Sequence, residues 1–139
     1  MILMDADECP DNNLERIASS PWAGRVDEWR RELMDGLRGL VGQLRNQYST
    51  SAGEDSVLRS VITDAPHLAT RVKTLRYRQL RLLERIEGLD RYLADSTRPV
   101  DVAGLRAEVR DLINEAQALR TEESDLTYEA FYIDLGVGG

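Results

Sequence analysis

Apolar residues recur every three or four positions along most of the chain, the spacing of one face of an amphipathic helix. The first such segment spans residues 26–48, and its apolar stripe consists of Val26, Trp29, Leu33, Leu37, Leu40 and Leu44. The next step of the same stripe falls on the polar residue Gln47. The pattern predicts a long helix that places an amide near its end, where a hydrophobic side chain is expected.

Two further segments follow after a break at "STSAG". The short run "EDSVLRSVIT" predicts a short helix with the apolar residues Val57, Leu58, Val61 and Ile62. Pro66 then opens a longer helix, since proline suits a first turn in which its missing N–H is no loss. The stripe of this helix is Leu68, Val72, Leu75, Gln79, Leu82, Ile86, Leu89 and Leu93. Gln79 is its only polar member.

The last periodic segment follows "DSTRP", because proline and the residue before it resist helical geometry. Asp101 is suitably placed to act as the N-cap, since its carboxylate can accept bonds from the first N–H groups. The stripe runs through Val102, Leu105, Val109, Leu112, Ala116, Leu119, Glu123, Leu126 and Ala130. Again one member is polar, and here it is the carboxylate of Glu123.

Three long helices and a shorter one, with seam steps averaging about 3.5 residues, predict an all-α fold. We expect an antiparallel, up-down four-helix bundle over residues 25–136. A flexible polar arm is expected over residues 1–24, with Trp22 as its anchor, and a Gly-rich tail over residues 137–139.

Composition excludes several classes of protein. The chain is 42 % hydrophobic and 31 % charged, and no segment approaches the roughly 20 apolar residues of a membrane span. The first 20 residues lack the basic and apolar regions of a secretory signal, so we expect a cytoplasmic location. The net charge of −7 disfavours nucleic-acid binding, because the summed field repels a polyanion. The single cysteine, Cys9, cannot form an internal disulfide.

The longest basic stretch has two interpretations. Six basic residues lie on the helix after Pro66, namely Arg71, Lys73, Arg76, Arg78, Arg81 and Arg85. They could form a face for nucleic acid or for an acidic partner. We favour pairing with Glu108, Asp111 and Glu115, or simple solvation, because the arginines spread around the helix and the protein is acidic.

Gln47, Gln79 and Glu123 each replace a hydrophobe on a different long helix. If the three seams face one interior, the three side chains meet there. A lone buried carboxylate would be costly, whereas hydrogen bonds to two amides would offset part of the cost. We therefore expect a buried polar cluster of these residues. The alternative is that the seams drift near the helix ends and that these side chains reach solvent.

Ordinary metal or catalytic chemistry is not indicated by the residues. Bundles hold metals with inward-facing histidines and glutamates, and glutamine amides are poor ligands. The single histidine, His67, lies at a helix start where a surface position is expected. No nucleophile lies beside a base, and no phosphate-binding loop opens a helix. We predict no catalytic residue, no metal and no cofactor.

Three stretches resemble the bacterial hemerythrin-like four-helix domain: "WRRELMDGLRGLVGQLRNQY", "APHLATRVKTLRYRQLRLLERIEGL" and "LRTEESDLTYEAFYIDLG". In that family the last helix carries His-Glu-x-x-Glu, then "LLYEAY" and Asp-x-Gly. The resemblance matches the family's iron-ligand positions to Gln47, Ser51, Gln79, Leu119, Arg120 and Glu123. Only the last of these keeps the residue type of the family's ligand. The resemblance therefore implies a degenerate member in which Glu123 is the remnant of a di-iron site, hydrogen-bonded to Gln47 and Gln79.

We therefore expect a non-catalytic, metal-free bundle with a structural or protein-interaction role. The candidate contacts to an unknown protein partner are Trp22, Tyr77, Arg78, Tyr128, Phe131 and Tyr132. Apolar surface on the short second helix would also permit a homodimer. The alternative is an iron- or oxygen-binding sensor that recruits Glu123 together with Asp125, Glu122 or His67.

Overall fold

Four α-helices account for most of the residues that the computed structural model describes, which are 10–51, 65–95 and 97–134. In chain order they are α1 (Pro10–Ser19), α2 (Val26–Ser51), α3 (Pro66–Ala94) and α4 (Val102–Asp134). Within these ranges no residue lies in a β-strand. The predicted all-α class is confirmed for this part of the chain.

Three of these helices correspond to the three long helices predicted from the sequence. α2 begins at Val26 and α3 at Pro66, as expected. α4 follows Asp101, whose Oδ1 accepts a hydrogen bond from the backbone N–H of Gly104 at 3.1 Å. This bond confirms the predicted N-cap. The short helix predicted for "EDSVLRSVIT" lies outside the described residues.

α1 lies in the region expected to be a flexible polar arm. Its sequence is mostly polar, yet Leu14 is fully buried and Ala18 nearly so. The expected anchor, Trp22, is instead 37 % exposed, because Leu14 and Ala18 supply the apolar contacts of this segment. Residues 1–9, which include Cys9, lie outside the described residues.

The chain divides into two compact units. Unit 1 combines Met1–Leu44 with Leu83–Asn114, and unit 2 combines Arg45–Leu82 with Glu115–Gly139. The predicted apolar seam is confirmed in both, since its members are buried except for Val26 and Leu89, which are partly exposed. The core of unit 1 includes Leu14, Trp29, Leu33, Leu37, Leu40, Ile86, Val109 and Leu112, and that of unit 2 includes Leu68, Val72, Leu75, Leu82, Leu119 and Leu126.

In unit 1 the C-terminal end of α1 is held by side chains from two other helices. The buried indole of Trp29 donates from Nε1 to the carbonyl of Ile17 at 2.9 Å. Arg106 donates from Nε and Nη2 to the carbonyls of Ala18 and Ser20 at 2.7 and 2.8 Å. The last carbonyls of a helix lack partners within the helix, so these bonds satisfy groups that would otherwise depend on water.

Among the described helices, none combines the length and the apolar character needed to cross a membrane.

Candidate functional site

The candidate site lies in unit 2, where α3 and α4 carry polar residues on their apolar seams. Gln79 of α3 is 2 % exposed, and it is the buried polar side chain among those the structure describes. Its Nε2 donates to Oε1 of Glu123 on α4 at 3.0 Å. Its Oε1 accepts a hydrogen bond from Nη1 of Arg76, one turn earlier on α3, at 3.0 Å.

These three side chains form a chain of alternating donors and acceptors, which we call the Gln79 bridge (Arg76, Gln79 and Glu123). The amide oxygen faces a guanidinium, which can only donate, and the amide nitrogen faces a carboxylate, which can only accept when ionised. Both ends of the buried amide are therefore satisfied. Because a buried amide without partners costs roughly 1–3 kcal/mol, the bridge removes most of the penalty for placing Gln79 in the core.

A solvent-open cleft of about 520 Å³ lies beside the bridge, and we call it the unit 2 cleft. It is lined by Gln47, Arg120, Glu123, Ser124, Thr127 and Tyr128. The hydroxyl of Thr127 donates to the backbone carbonyl of Glu123 at 2.9 Å, so it ties the cleft wall to the turn that carries the carboxylate. A cleft of this size falls in the range of small-molecule and side-chain binding pockets.

The structure brings the three predicted polar residues to one region of unit 2, but they differ in burial. Gln79 and Glu123 are bonded directly, and Gln47 shares the cleft wall with Glu123. Gln79 alone is buried, whereas Gln47 and Glu123 are partly exposed. The predicted cluster is therefore only partly buried. Gln79 lies in the core, whereas Gln47 on α2 and Glu123 on α4 lie where their seams reach the open cleft.

The other positions matched to iron ligands do not supply donors. Leu119 is aliphatic and buried in the core of unit 2. The side chain of Ser51 lies outside the described residues. Gln79 already uses its amide oxygen to accept from Arg76 and its nitrogen to donate to Glu123. The described donor set thus does not fit two iron ions, which need several imidazole or carboxylate ligands.

The residues invoked for an atypical metal site differ in their surroundings. Glu122 forms an ion pair with Arg71 at 3.5 Å, and Asp125 and His67 are exposed. The surface position of His67 confirms the sequence prediction. Among the described residues there is no group of three or more His, Cys, Asp or Glu side chains placed to hold a metal ion.

Three arginines of α3 form ion pairs with acidic residues of α4. In unit 2, Arg71 bonds to Glu129 at 2.9 Å, and Arg78 bonds to Glu115 at 3.0 Å. In unit 1, Arg85 bonds to Asp111 at 2.8 Å and to Glu108 at 3.3 Å. The predicted pairing is confirmed for Arg78 with Glu115 and for Arg85 with Glu108 and Asp111, whereas Arg71 pairs with acids that were not predicted. The hydrogen bond with Glu129 raises the pKa of the Arg71 guanidinium, and that with Asp111 raises the pKa of Arg85.

The residues expected to contact a partner have different environments. Tyr128 is 59 % exposed at the rim of the unit 2 cleft, and Tyr77 is exposed on α3. Arg78 is half-buried and donates two hydrogen bonds to Glu115, so its guanidinium is committed within the chain. The side chains of Phe131 and Tyr132 lie outside the described residues.

Unit 1 carries a surface depression of about 480 Å³ away from the seam. It is lined by Asn13, Arg16, Ile17, Ser20, Arg25, Glu32, Asp35 and Gly36. Within it, Arg25 is bonded to Glu28 and Glu32 at 3.1 and 3.0 Å. These bonds raise the pKa of Arg25, chiefly through Glu28, so the Arg25 guanidinium is already engaged within the chain.

Sequence reasoning did not find Arg76, Ser124 or Thr127 as parts of the site. A signal for Arg76 was present, since it precedes Gln79 by three residues and side chains three apart on a helix are neighbours. Thr127 follows Glu123 by four residues, the spacing at which a threonine hydroxyl reaches back to a helix carbonyl. The cleft itself depends on how side chains from two helices pack, which no periodic pattern specifies.

Comparisons with family models, curated proteins and solved structures found no match to this chain. The resemblance to hemerythrin-like domains stays a prediction, and a likeness of fold would not by itself establish an activity.

Proposed function

We propose that this chain is a metal-free, non-catalytic, hemerythrin-like helical bundle that binds a protein partner through the unit 2 cleft. The observation that carries the proposal is the Gln79 bridge. At the positions matched to iron ligands, Gln79 and Glu123 bond to each other, and Gln79 also bonds to Arg76. The polar groups that a metal would need are thereby used within the chain, while the adjoining cleft remains open to solvent.

An antiparallel, up-down arrangement belongs to this proposal. In unit 2, the partners of Arg71 and Arg78 on α4 are Glu129 and Glu115. The residue numbers therefore rise along α3 while they fall along α4, as in two helices that run in opposite directions. The seven-residue spacing of the arginines supports side-by-side packing with a small crossing angle, as is typical of bundles.

The cleft has the composition of a non-covalent binding site. Tyr128 offers an exposed ring, which gives a large apolar contact with one polar end. Gln47, Ser124 and Glu123 offer amide, hydroxyl and carboxylate groups around it. Aromatic anchors surrounded by polar groups dominate the free energy of many protein interfaces. We therefore assign Tyr128 as the main contact and the polar groups as determinants of specificity.

The metal-free part of the proposal is tested on protein expressed in iron-replete medium. We expect iron well below one atom per chain and no ultraviolet-visible band of an oxo-bridged iron pair. Stoichiometric iron with such a band would overturn it in favour of the sensor. Titration of the purified chain with Fe²⁺, compared with Glu123→Leu, sharpens the test. Tight binding that the substitution abolishes would show that Glu123 is a working ligand.

The binding part is tested by affinity capture from a lysate of the native host. Wild-type chain is compared with Tyr128→Ala and with Gln117→Ala, which changes an exposed residue of α4 that does not line the cleft. We expect a captured protein to be lost with Tyr128→Ala and kept with Gln117→Ala. Equal capture by both variants would exclude the cleft, and no specific capture by the wild-type chain would contradict the binding role.

A further inference from the structure

The surface depression in unit 1, which we call the unit 1 depression, lies between α1 and α2. α1 contributes Arg16 and Ile17 to its lining, and α2 contributes Glu32, Asp35 and Gly36. A Cβ on Gly36 would lie 3.3 Å from Cδ1 of Ile17, so the two helices approach each other closely at this point. Arg16 and Asp35 are the sequence neighbours of these two residues. They therefore flank the close approach, one on each helix.

The α1 side of the depression is held in place by hydrogen bonds. The carbonyl of Ile17 accepts from Nε1 of Trp29 on α2 at 2.9 Å and from Oγ of Ser20 at 2.7 Å. The carbonyl of Ser20 accepts from Nη2 of Arg106 at 2.8 Å. Because this backbone is already ordered, little conformational entropy would be lost when a ligand enters the depression.

Two opposite charges in the unit 1 depression are not engaged in ion pairs. The guanidinium of Arg16 donates from Nη2 to the neutral amide oxygen of Asn13 at 2.7 Å. Within the part of the chain that the structure describes, neither Arg16 nor Asp35 forms a salt bridge. Arg25 differs from them, since it is bonded to Glu32 in the same depression. One cation and one anion thus remain available to a ligand.

A ligand that carries both charges satisfies this arrangement. The forked guanidinium of Arg16 suits a carboxylate, to which it can donate two hydrogen bonds. Asp35 suits an ammonium group, and Glu32 lies one turn earlier on the same face of α2. An α-amino acid carries its ammonium and carboxylate groups on one carbon, which matches two charges that flank one point of close approach. Its side chain would lie against Ile17, the aliphatic residue of the lining.

We infer that the unit 1 depression is a binding site for a free α-amino acid with an aliphatic side chain, whose carboxylate is bound by Arg16 and whose ammonium is bound by Asp35. The inference goes beyond the proposed function and does not depend on it, since the unit 1 depression and the unit 2 cleft share no residue. Arg16 and Asp35 are exposed, and exposed ion pairs are weak, so we expect a Kd on the order of 1 mM.

The test is an NMR titration of the full chain with L-leucine and two analogues that each lack one charge. 4-Methylpentanoate keeps the carboxylate and the carbon skeleton but has no ammonium, and 3-methylbutylamine keeps the ammonium but has no carboxylate. We expect leucine to shift the backbone amide signals of Ser20 and Gly36 in a saturable manner. Each analogue should bind about two- to fivefold more weakly, the loss expected for one exposed ion pair.

Two variants assign the charges. Arg16→Gln should weaken the binding of leucine and 4-methylpentanoate by about two- to fivefold and leave 3-methylbutylamine unchanged. Asp35→Asn should weaken leucine and 3-methylbutylamine and leave 4-methylpentanoate unchanged. A merely structural role of either residue would not produce this crossed pattern. The matched controls are Arg31→Gln and Glu15→Gln, which remove the same charges at exposed residues of α2 and α1 that do not line the depression. Both controls should bind all three compounds as the wild-type chain does.

Several outcomes would overturn the inference. One is the absence of saturable shifts with leucine at about 20 mM, well above the expected Kd. Another is equal affinity of the wild-type chain for leucine and 4-methylpentanoate. Shifts at Ser124 in the unit 2 cleft without shifts at Ser20 and Gly36 would place the binding elsewhere and would also contradict it. The same holds if the control variants lose as much affinity as Arg16→Gln and Asp35→Asn, with far-UV circular dichroism establishing that every variant keeps its helices.

Discussion

Units 1 and 2 are built largely from successive stretches of the same three helices, yet they use the seam differently. In unit 1 the seam positions are apolar, and Trp29 is fully buried among them. In unit 2 the seams include Gln79 and Glu123, and a cleft opens beside them. The depression on unit 1 lies off the seam and is lined mainly by polar and charged surface residues. Helical periodicity therefore predicts where a core lies but not which parts of that core exclude water.

The two units differ in how much their seam residues can contribute to the stability of the fold. A fully buried leucine stabilises a fold by about 1.5–3 kcal/mol relative to an exposed one. A satisfied buried hydrogen bond contributes only about 0.5–1.5 kcal/mol, and an apolar replacement of similar shape is often as stable. The Gln79 bridge is thus a poor way to gain stability. Its position beside an open cleft agrees with the proposed binding role of unit 2.

The strongest test of the comparison is Trp29→Ala in unit 1. The change removes a fully buried side chain and the bond from its indole to the carbonyl of Ile17. We expect a loss of about 3–5 kcal/mol in the free energy of unfolding, measured by urea denaturation with circular dichroism. Trp22→Ala is the matched control and should cost less than about 1 kcal/mol, because Trp22 is exposed. Similar losses for the two variants would show that unit 1 does not depend on Trp29.

The second test replaces members of the Gln79 bridge in unit 2. Glu123→Leu leaves the Nε2 of buried Gln79 without its acceptor, so we expect a loss of about 1–3 kcal/mol in the free energy of unfolding. Adding Gln79→Leu should recover most of that loss, because both polar groups are then gone. A double-mutant cycle measures the coupling between the two residues. Strictly additive changes in the free energy of unfolding would mean that the hydrogen bond between Gln79 and Glu123 contributes nothing to stability. The polar seam of unit 2 would then not differ energetically from the apolar seam of unit 1.

The triple change Gln47→Leu, Gln79→Leu and Glu123→Leu extends this test to the whole polar set. We expect the chain to fold with a stability within about 1 kcal/mol of wild type or above it, as judged by thermal unfolding. The same protein should lose binding of any partner captured by the unit 2 cleft. Failure to fold would contradict the view that these residues are kept for binding rather than for stability.

Sequence periodicity was sufficient to predict the three long helices and nearly all of their buried positions. It succeeded because residues such as Leu37 and Leu112 are leucines at regular helical steps. It missed α1, where Leu14, Ile17 and Ala18 are spaced as on a helix but lie among polar residues. Leu14 and Ala18 are buried, and Leu14 and Ile17 lie against Gly36 of α2, a contact that a local pattern does not reveal. The cleft was missed for the same reason, since only tertiary packing sets it.

The third test compares two glycines of α2, Gly36 and Gly39, which differ in how closely other side chains approach them. A Cβ on Gly36 would lie 3.0 Å from Cδ1 of buried Leu14, whereas nothing lies within 4 Å of a Cβ on Gly39. Gly39→Ala should stabilise the chain by about 0.5–1 kcal/mol through helix propensity. Gly36→Ala should lose that gain or destabilise, because Leu14 must shift. Equal stabilisation in thermal unfolding would show that α1 does not pack tightly on Gly36.

The smallest expected effect concerns Asp95 in unit 1, whose carboxylate lies at the surface after α3 rather than on a seam. It accepts bonds from the hydroxyl and backbone N–H of Thr97 and from Nε of Arg98, at 2.6, 3.0 and 3.1 Å. These bonds, the Thr97 hydroxyl first, lower the pKa of Asp95 below its ordinary 3.8. Its contribution to stability is therefore present above about pH 3.8 and is lost as the pH falls through the lower folded value.

An NMR titration of the Asp95 carboxyl carbon measures this pKa directly. Thr97→Val removes the hydroxyl donor while keeping the backbone N–H, so the midpoint should move back toward the ordinary value. A wild-type midpoint at or above 3.8 would contradict the hydrogen bonds from Thr97 and Arg98 to the Asp95 carboxylate. A lowered midpoint would sharpen the comparison, because it would show that the surface carboxylate of unit 1 is stabilised in its charged form by local hydrogen bonds, whereas unit 2 has Glu123 on a seam.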